Sequence, residues 1–454
     1  MLNVFNQSIW GDEGFSAILS MKSLPEIIKI ISRDTSPPLW NIFEHLVFQT
    51  FGTDEIYIRG LSFAFFLGTV FFTYKIASFL FSRKTGLLAA LFTFLNPFFF
   101  IYAFEGRMYS IMAMGVAGSM YFYLRIFLNE EGIRKRDRFG YIFFTLWALY
   151  SHHFAFFVVA VQGLWWIYEL AFGKRVRAKK MFKIFLITAL GYVPWLYPLY
   201  NQTKMVGGGF WLGTPSTNDL KKLIYDYLAE GIKKEKLVLP IFNMPLYHAS
   251  LYVVLAVAVL RKWWKNIKRT VFFILWFIGP ILLTWLISQK FQSIFFNRYL
   301  LYTIPAAILI LVSSRSKLSI IPLAILAIFF GIIDYQYFTN PTKLPFREMA
   351  SYVKETQKEG DYIINWYSNG THHIWETKYY GIPAPIFAPG EGALPFFVGT
   401  ALMEEGDVIR EIPEGVQRVG VVTSGNTEEI ELLGYGQREV KEFNGLKFVW
   451  YLKK

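Results

Sequence analysis

An acidic pair, Asp12-Glu13, stands in the stretch WGDEGFSA, ahead of the first long apolar run of the chain. A carboxylate at the edge of an apolar bundle can accept the proton of an attacking hydroxyl, the task of a general base. The competing reading is structural, because Asp is favoured at a helix N-cap and Glu in a first turn. Glu105 and Arg107 lie in YAFEGRMYS, between two apolar runs, where ionisable groups are costly unless they are paired or functional. His152-His153, in YSHHFAFF, offers phosphate contact or proton handling, or else a polar residue at an interface. Arg298, in FFNRYL, is placed either to grip a phosphate through paired N–H donors or to snorkel toward water. His372 and His373, much later, read as structural. No spacing of His, Asp and Glu resembles a strong metal site, and a cysteine count of zero excludes thiolate ligands and disulfides.

The elements that must hold these residues are membrane spans. Of 454 residues, 54% are hydrophobic and 17% charged, against about 25% charged in soluble domains. Ten apolar segments read as spans, at about 61–80, 86–104, 108–128, 139–150, 154–170, 182–200, 246–260, 271–288, 299–313 and 318–335. The net charge of +13 does not point to nucleic acid, since the basic residues cluster in short loops between the spans. Those clusters (Arg83-Lys84, Arg134 to Arg138, Lys174 to Lys183, Arg261 to Arg269, and Arg315 with Lys317) occupy every second loop and are expected on the cytoplasmic side. Residues 1–60, the Glu105–Arg107 turn, the Ser151-His152-His153 turn, residues 201–245, residues 289–298 and the tail from about 340 are then external. The first eleven residues have no signal-peptide pattern, so an external start is expected to rest either on a first helix upstream of Met1, the favoured reading, or on translocation of the short segment with the first hairpin.

Residues 13–32 read as one amphipathic surface helix. A second, LWNIFEHLVFQTF, starts after Pro37-Pro38 and ends at Gly52. In the 201–245 loop, Gly207 to Gly209 precede Phe210-Trp211, and a helix capped near Ser216 or Thr217 follows. Past Pro341 the composition changes. FREMASYVKETQK reads as a helix, DYIINW, VQRVGVVTS and LKFVWYL as strands, and THHIWETKYY and NTEEIELLGY as helices. The expected architecture is an α-helical polytopic membrane protein of about 10–11 transmembrane helices, with a small C-terminal extracytoplasmic α/β domain. The expected division is 1–339 for the membrane domain, its first 60 residues forming an external loop, and 340–454 for the tail.

In order along the chain, WGDEGFSA, SPPLWNIFEHLVFQTFG, EIYIRGLS, YAFEGRMYS, YSHHFAFF, FWLGTPSTNDL, NRYLLYTIPA and FREMASYVK resemble the GT-C glycosyltransferases of the family 39 type. That group includes the dolichyl-phosphate-mannose protein mannosyltransferases and the bacterial aminoarabinose transferase of lipid A. The family's first transmembrane helix is absent before the acidic pair, and a His often seen ahead of the Pro-Pro pair is Ser36 here. The resemblance implies a polyprenyl-phosphate sugar donor, an extracytoplasmic acceptor and inverting transfer at the outer face of the cytoplasmic membrane. It implies Asp12 as base, with Glu13 and Glu105 as further catalytic carboxylates. It implies Arg59, Arg107, Tyr109, His152, His153, Arg298 and Tyr299 as the groups that bind the donor phosphate or substrate. No metal is chemically required, because a lipid phosphate leaves without a nucleotide, although a divalent cation is not excluded. The rival readings are a flippase or transporter for a lipid-linked sugar, which would favour charges at mid-membrane and inverted repeats, and an oligosaccharide polymerase or ligase.

Overall fold

The computed structural model describes residues 3–129, 132–231, 244–262, 267–313, 315–340, 342–368, 370–390 and 392–454. The loop expected at 201–245 is described up to residue 231 and again from residue 244, and the rest of it, with Lys265 of one basic cluster, lies outside the described residues. In chain order the helices are α1 Gly11–Ser20, α2 Leu24–Ile31, α3 Leu39–Phe51, α4 Glu55–Leu80, α5 Arg83–Phe94, α6 Pro97–Ala103, α7 Tyr109–Leu128, α8 Lys135–Ser151 and α9 Ala155–Phe172. They continue with α10 Arg175–Tyr192, α11 Leu196–Gly207, α12 Thr217–Tyr225, α13 Pro245–Lys262, α14 Ile267–Lys290, α15 Ile304–Ser313, α16 Ile320–Thr339, α17 Phe346–Thr356 and α18 Ile374–Tyr379. The strands are β1 Tyr362–Trp366, β2 Ile386–Phe387, β3 Val408–Ile409, β4 Arg418–Thr423, β5 Tyr435–Phe443 and β6 Leu446–Lys453.

Two compact units result. One comprises Met1–Asp34, Asn41–Ile58 and Pro341–Lys454, and the other Thr35–Trp40 and Arg59–Asn340. The acidic segment at the start of the chain therefore packs with the tail, across the division expected at residue 340.

The larger unit is a multi-pass helical membrane domain, with helix at each of the ten expected spans. Among the described residues six helices are long and apolar enough to cross a membrane, and a bent pair makes a seventh. Leu87, Leu91, Leu186 and Leu190 are exposed along these helices, as lipid-facing side chains must be. α7 is the most enclosed of the spans. Glycines make its contact with α8 possible. A Cβ on Gly115 would stand 2.8 Å from the backbone N of Ala148, and one on Gly118 2.6 Å from the Phe144 ring. The span expected at 86–104 is broken by 64° between α5 and α6. Pro97 has no N–H for the helix and disfavours helical geometry at Asn96. Asn96 instead caps α6, accepting from Phe99 N at 2.9 Å.

In the smaller unit the helix expected over 13–32 is two helices. Ser23 forms a capping box with Glu26, and Pro25 sits in the first turn of α2, so α2 starts anew after α1 has ended. α3 ends at Gly52, with φ +100°, as expected. The tail has a six-stranded sheet in the order β3-β2-β1-β4-β6-β5. β3, β2, β1 and β4 are parallel, and β6 and β5 antiparallel. Ile363, Val422, Phe448 and Trp450 form a core with α17 on one face, while Ile364, Val419, Val421 and Val449 fill the other. The helix expected in NTEEIELLGY is only a short turn at Thr427–Glu429, and the chain then enters β5. Asn444 and Gly445, at φ 46° and 92°, turn β5 into β6. That Asn-Gly pair was the sequence signal for a hairpin.

Candidate active site

In the membrane unit α6 ends at Ala103, and Phe104–Met108 forms a tight turn before α7. Glu105 N donates to Tyr102 O at 3.2 Å, and Arg107 N to Glu105 O at 2.7 Å, which fixes the turn. Arg298 arrives from a 3-10 helix at Asn297–Thr303. Its Nη1 lies 3.5 Å from Glu105 Oε1, with the two side chains 14% and 8% exposed. At that burial the pair is weakly screened. The guanidinium also lies 5.6 Å from the Tyr109 ring centre and 5.0 Å from that of Phe296. Trp211 backs Phe296 edge-on at 5.0 Å, which gives the Phe210-Trp211 loop a supporting role. Phe296 was not singled out in the sequence, although FFNRYL contains it, and Phe210-Trp211 was noted only as part of a loop.

The histidine pair divides. His152 caps α8 and is buried, with Tyr299 at 5.2 Å and Tyr109 at 6.3 Å between ring centres. Burial holds it well below the ordinary imidazole range, and the positive charges of His153, Arg107 and Arg298 push the same way. It is therefore neutral near pH 7. Its Nδ1 accepts from Phe154 N at 3.1 Å, so the ring hydrogen resides on Nε2. His153 turns to other partners. Its Nε2 is 2.7 Å from Gln202 Oε1 and its Nδ1 3.5 Å from Tyr192 Oη. Gln202 continues to Ser36 O at 3.3 Å. His153 thus ties the α8–α9 turn to α10, α11 and the residue ahead of Pro37-Pro38. Burial lowers it to about 4, opposed by the Gln202 bond.

Arg59 is fully buried on α4, four residues before Phe63, whose ring stacks on Phe104 at 5.1 Å. One turn of α4 therefore places it at the same end of the unit as Glu105. Glu105, Tyr109, His152, Arg298 and Tyr299 converge, with the charge of Arg107 acting on His152. Cations, a neutral N–H donor and aromatic walls in an enclosed place suit an oxyanion with spread charge, such as a phosphate.

In the smaller unit Asp12 and Glu13 sit in the first turn of α1, Asp12 partly exposed and Glu13 fully buried. The N-cap is Trp10, so Asp12 is not the cap that the structural reading required. Asn41, on α3, donates to Ser16 Oγ at 3.1 Å and Ser20 Oγ at 3.0 Å, and Ser20 donates to Glu44 at 2.7 Å. α1 is thereby held along its length. Among the described residues no group of three or more His, Asp or Glu side chains converges as metal ligands.

No family model and no curated protein matches this sequence. Solved structures do match. ArnT from Cupriavidus metallidurans in the apo state is 13% identical with a TM-score of 0.58, over 98% of this chain and 94% of that one. The same protein bound to undecaprenyl phosphate gives 12% and 0.52, over 98% and 95%. The Archaeoglobus fulgidus oligosaccharyltransferase in complex with Zn and sulfate gives 13% and 0.52, over 91% of this chain and 64% of that one. The chain therefore has the fold of the GT-C glycosyltransferases.

Proposed function

We propose that this protein is an integral membrane glycosyltransferase that moves a sugar from a polyprenyl-phosphate donor to an extracytoplasmic acceptor, whether protein, lipid or glycan. The observation that carries the reading is the enclosed Glu105–Arg298 pair with Tyr109, Tyr299 and the neutral His152 around it. The fold shared with an ArnT structure that holds undecaprenyl phosphate supports the donor class. Asp12 removes the proton of the acceptor hydroxyl as its oxygen attacks the anomeric carbon, and Glu13 is the second carboxylate of the same turn. The bond from that carbon to the lipid phosphate breaks in the same displacement, through an oxocarbenium-like transition state, and the configuration inverts. Negative charge gathers on the departing phosphate. Arg298 and Arg107, with Arg59, stabilise it electrostatically, and Nε2–H of His152 donates to it. Glu105 orients Arg298, Tyr109 and Tyr299 wall the site, and His153 holds the turn that presents His152. The clustering of Lys and Arg in alternate loops supports a site and tail on the outer side of the cytoplasmic membrane.

The test uses purified enzyme, a polyprenyl-phosphate sugar and a membrane acceptor fraction, with sugar release from the lipid as readout. Arg298→Lys keeps the charge but loses the planar fork and the ring contacts, and is expected to lower kcat about tenfold or more. Arg298→Ala removes the charge as well, and is expected to lose more activity than Arg298→Lys. Parental kcat in both variants would refute the assignment of this cluster to the phosphate.

A further inference from the structure

The tail's α18 (IWETKY) packs against the helix that carries Asp12. A Cβ on Gly14 would lie 3.0 Å from the backbone C of Trp375, so the two helices meet backbone to backbone. Phe15 meets the Trp375 ring edge-on at 5.4 Å, and Ile9 N donates to Tyr380 Oη at 2.9 Å. At the N-terminal end of α1, Glu376 Oε1 stands 3.7 Å from where a Cβ on Gly11 would be. Glu376 is only 3% exposed, and its Oε2 has no hydrogen-bond partner among the described residues. A buried carboxylate needs a reason. Two are present. The N-terminal end of α1 carries the positive pole of its dipole, and Trp10 supplies no side-chain cap there. His373 supplies the other: its Nδ1 lies 3.3 Å from Glu376 Oε1, and its Nε2 lies 2.9 Å from Ser424 Oγ.

Ser424, His373 and Glu376 have the order of a nucleophilic triad. The amide that follows the serine, Gly425 N, is committed to Thr423 Oγ1 at 3.0 Å and is not offered to an oxyanion. Hydrolysis is therefore a poor use of the chain. Its inner end is the carboxylate at α1.

We propose that Glu376, held by His373, is a positioning residue for glycosyl transfer: it fixes the first turn of α1 and so the placement of Asp12. The tail domain is then part of the catalytic apparatus. The inference rests on the assignment of Asp12 as base. A base displaced by about 1 Å loses about a hundredfold in rate while substrate binding elsewhere is untouched.

The experiment measures kcat, donor KM and Tm for the full-length enzyme carrying Glu376→Gln or Gly14→Ala, beside Asp12→Asn. Glu376→Gln keeps the shape and removes the charge, and Gly14→Ala pushes α1 off α18. Each is expected to lower kcat about 10- to 100-fold, with donor KM within about twofold of the parent and Tm within about 5 °C. Parental kcat in Glu376→Gln overturns the proposal while leaving the base assignment standing. A fall in kcat accompanied by an equal rise in KM, or by a larger loss of Tm, also overturns it, since it reports general damage. If Gly14→Ala fails to fold, Glu376→Gln decides alone. Activity retained in Asp12→Asn removes the base assignment and this inference with it.

Discussion

Asp12 occupies the second position of α1 rather than its cap, which changes what its replacement reports. At that position a carboxylate contributes about 0.3–1 kcal/mol through the helix dipole. Asp12→Asn is therefore expected to leave Tm nearly unchanged while transfer falls about 10²- to 10⁴-fold, the loss expected of a missing base. Sugar release within about threefold of the parent would end the assignment. His153 offers a different test at this scale. Its folded value of about 4 lies below the ordinary 6.5. As pH falls through that interval the unfolded chain takes the proton first. The contribution of the neutral ring to stability is complete above about pH 6.5 and is lost toward about pH 4. Melting curves between pH 7 and 4.5 should show a steeper fall in Tm for the parent than for His153→Gln. Parallel curves would show that this histidine does not drive the acid sensitivity.

Elements set distances that no single residue controls. Tyr109 opens α7 and His152 closes α8, and these helices approach at Gly115, where Ala148 leaves no space for a side chain. Gly115→Val is expected to force α8 outward, separate Tyr109 from His152, lower Tm by several degrees and cut transfer about tenfold or more. Gly163, on α9, has nothing among the described residues within 4 Å of its would-be Cβ, so Gly163→Ala should be neutral or slightly stabilising. Equal effects from the two glycines, read by melting and by activity, would contradict the close-packing account. The Asn96-Pro97 break acts at the same scale, since it turns α6, which leads into the Glu105–Arg107 turn, by 64° from α5.

The whole molecule is two units whose membrership does not follow chain order, with the first 34 residues packed in the unit of the tail. Its orientation is the testable global property. The lack of cysteine makes single-cysteine labelling clean. Cysteines placed at Ser216 and Ser368 are expected to react with an impermeant thiol reagent on intact cells, while one placed within 174–180 is expected to be protected until the cells are opened. The reverse pattern would put the tail and the 201–245 loop in the cytoplasm and overturn the extracytoplasmic site.

Hydropathy alone located helix at each of the ten expected segments, and Ser216, Gly52 and the alternating tail strands marked their own boundaries, because spans, caps and pleats are local consequences of side-chain type. The charged residues worth attention were also legible, since an ionisable group beside an apolar run stands out wherever it folds. Local reading went astray where two signals competed. The apolar spacing of residues 13–32 hid the capping box at Ser23, and the acidic NTEEIELLGY hid the strand that the Asn444-Gly445 turn announces. Only tertiary structure decided which partners the candidates take. Nothing in two adjacent histidines says that His152 joins Tyr109 and Tyr299 while His153 turns to Gln202, since that choice depends on helices 40 or more residues away in the chain. Glu105 pairs with Arg298 across 193 residues, and Glu376 reaches the helix of Asp12 from the far end of the sequence. Such contacts arise from how helices and strands stack, and a linear pattern of side chains does not encode a distance between elements it does not join.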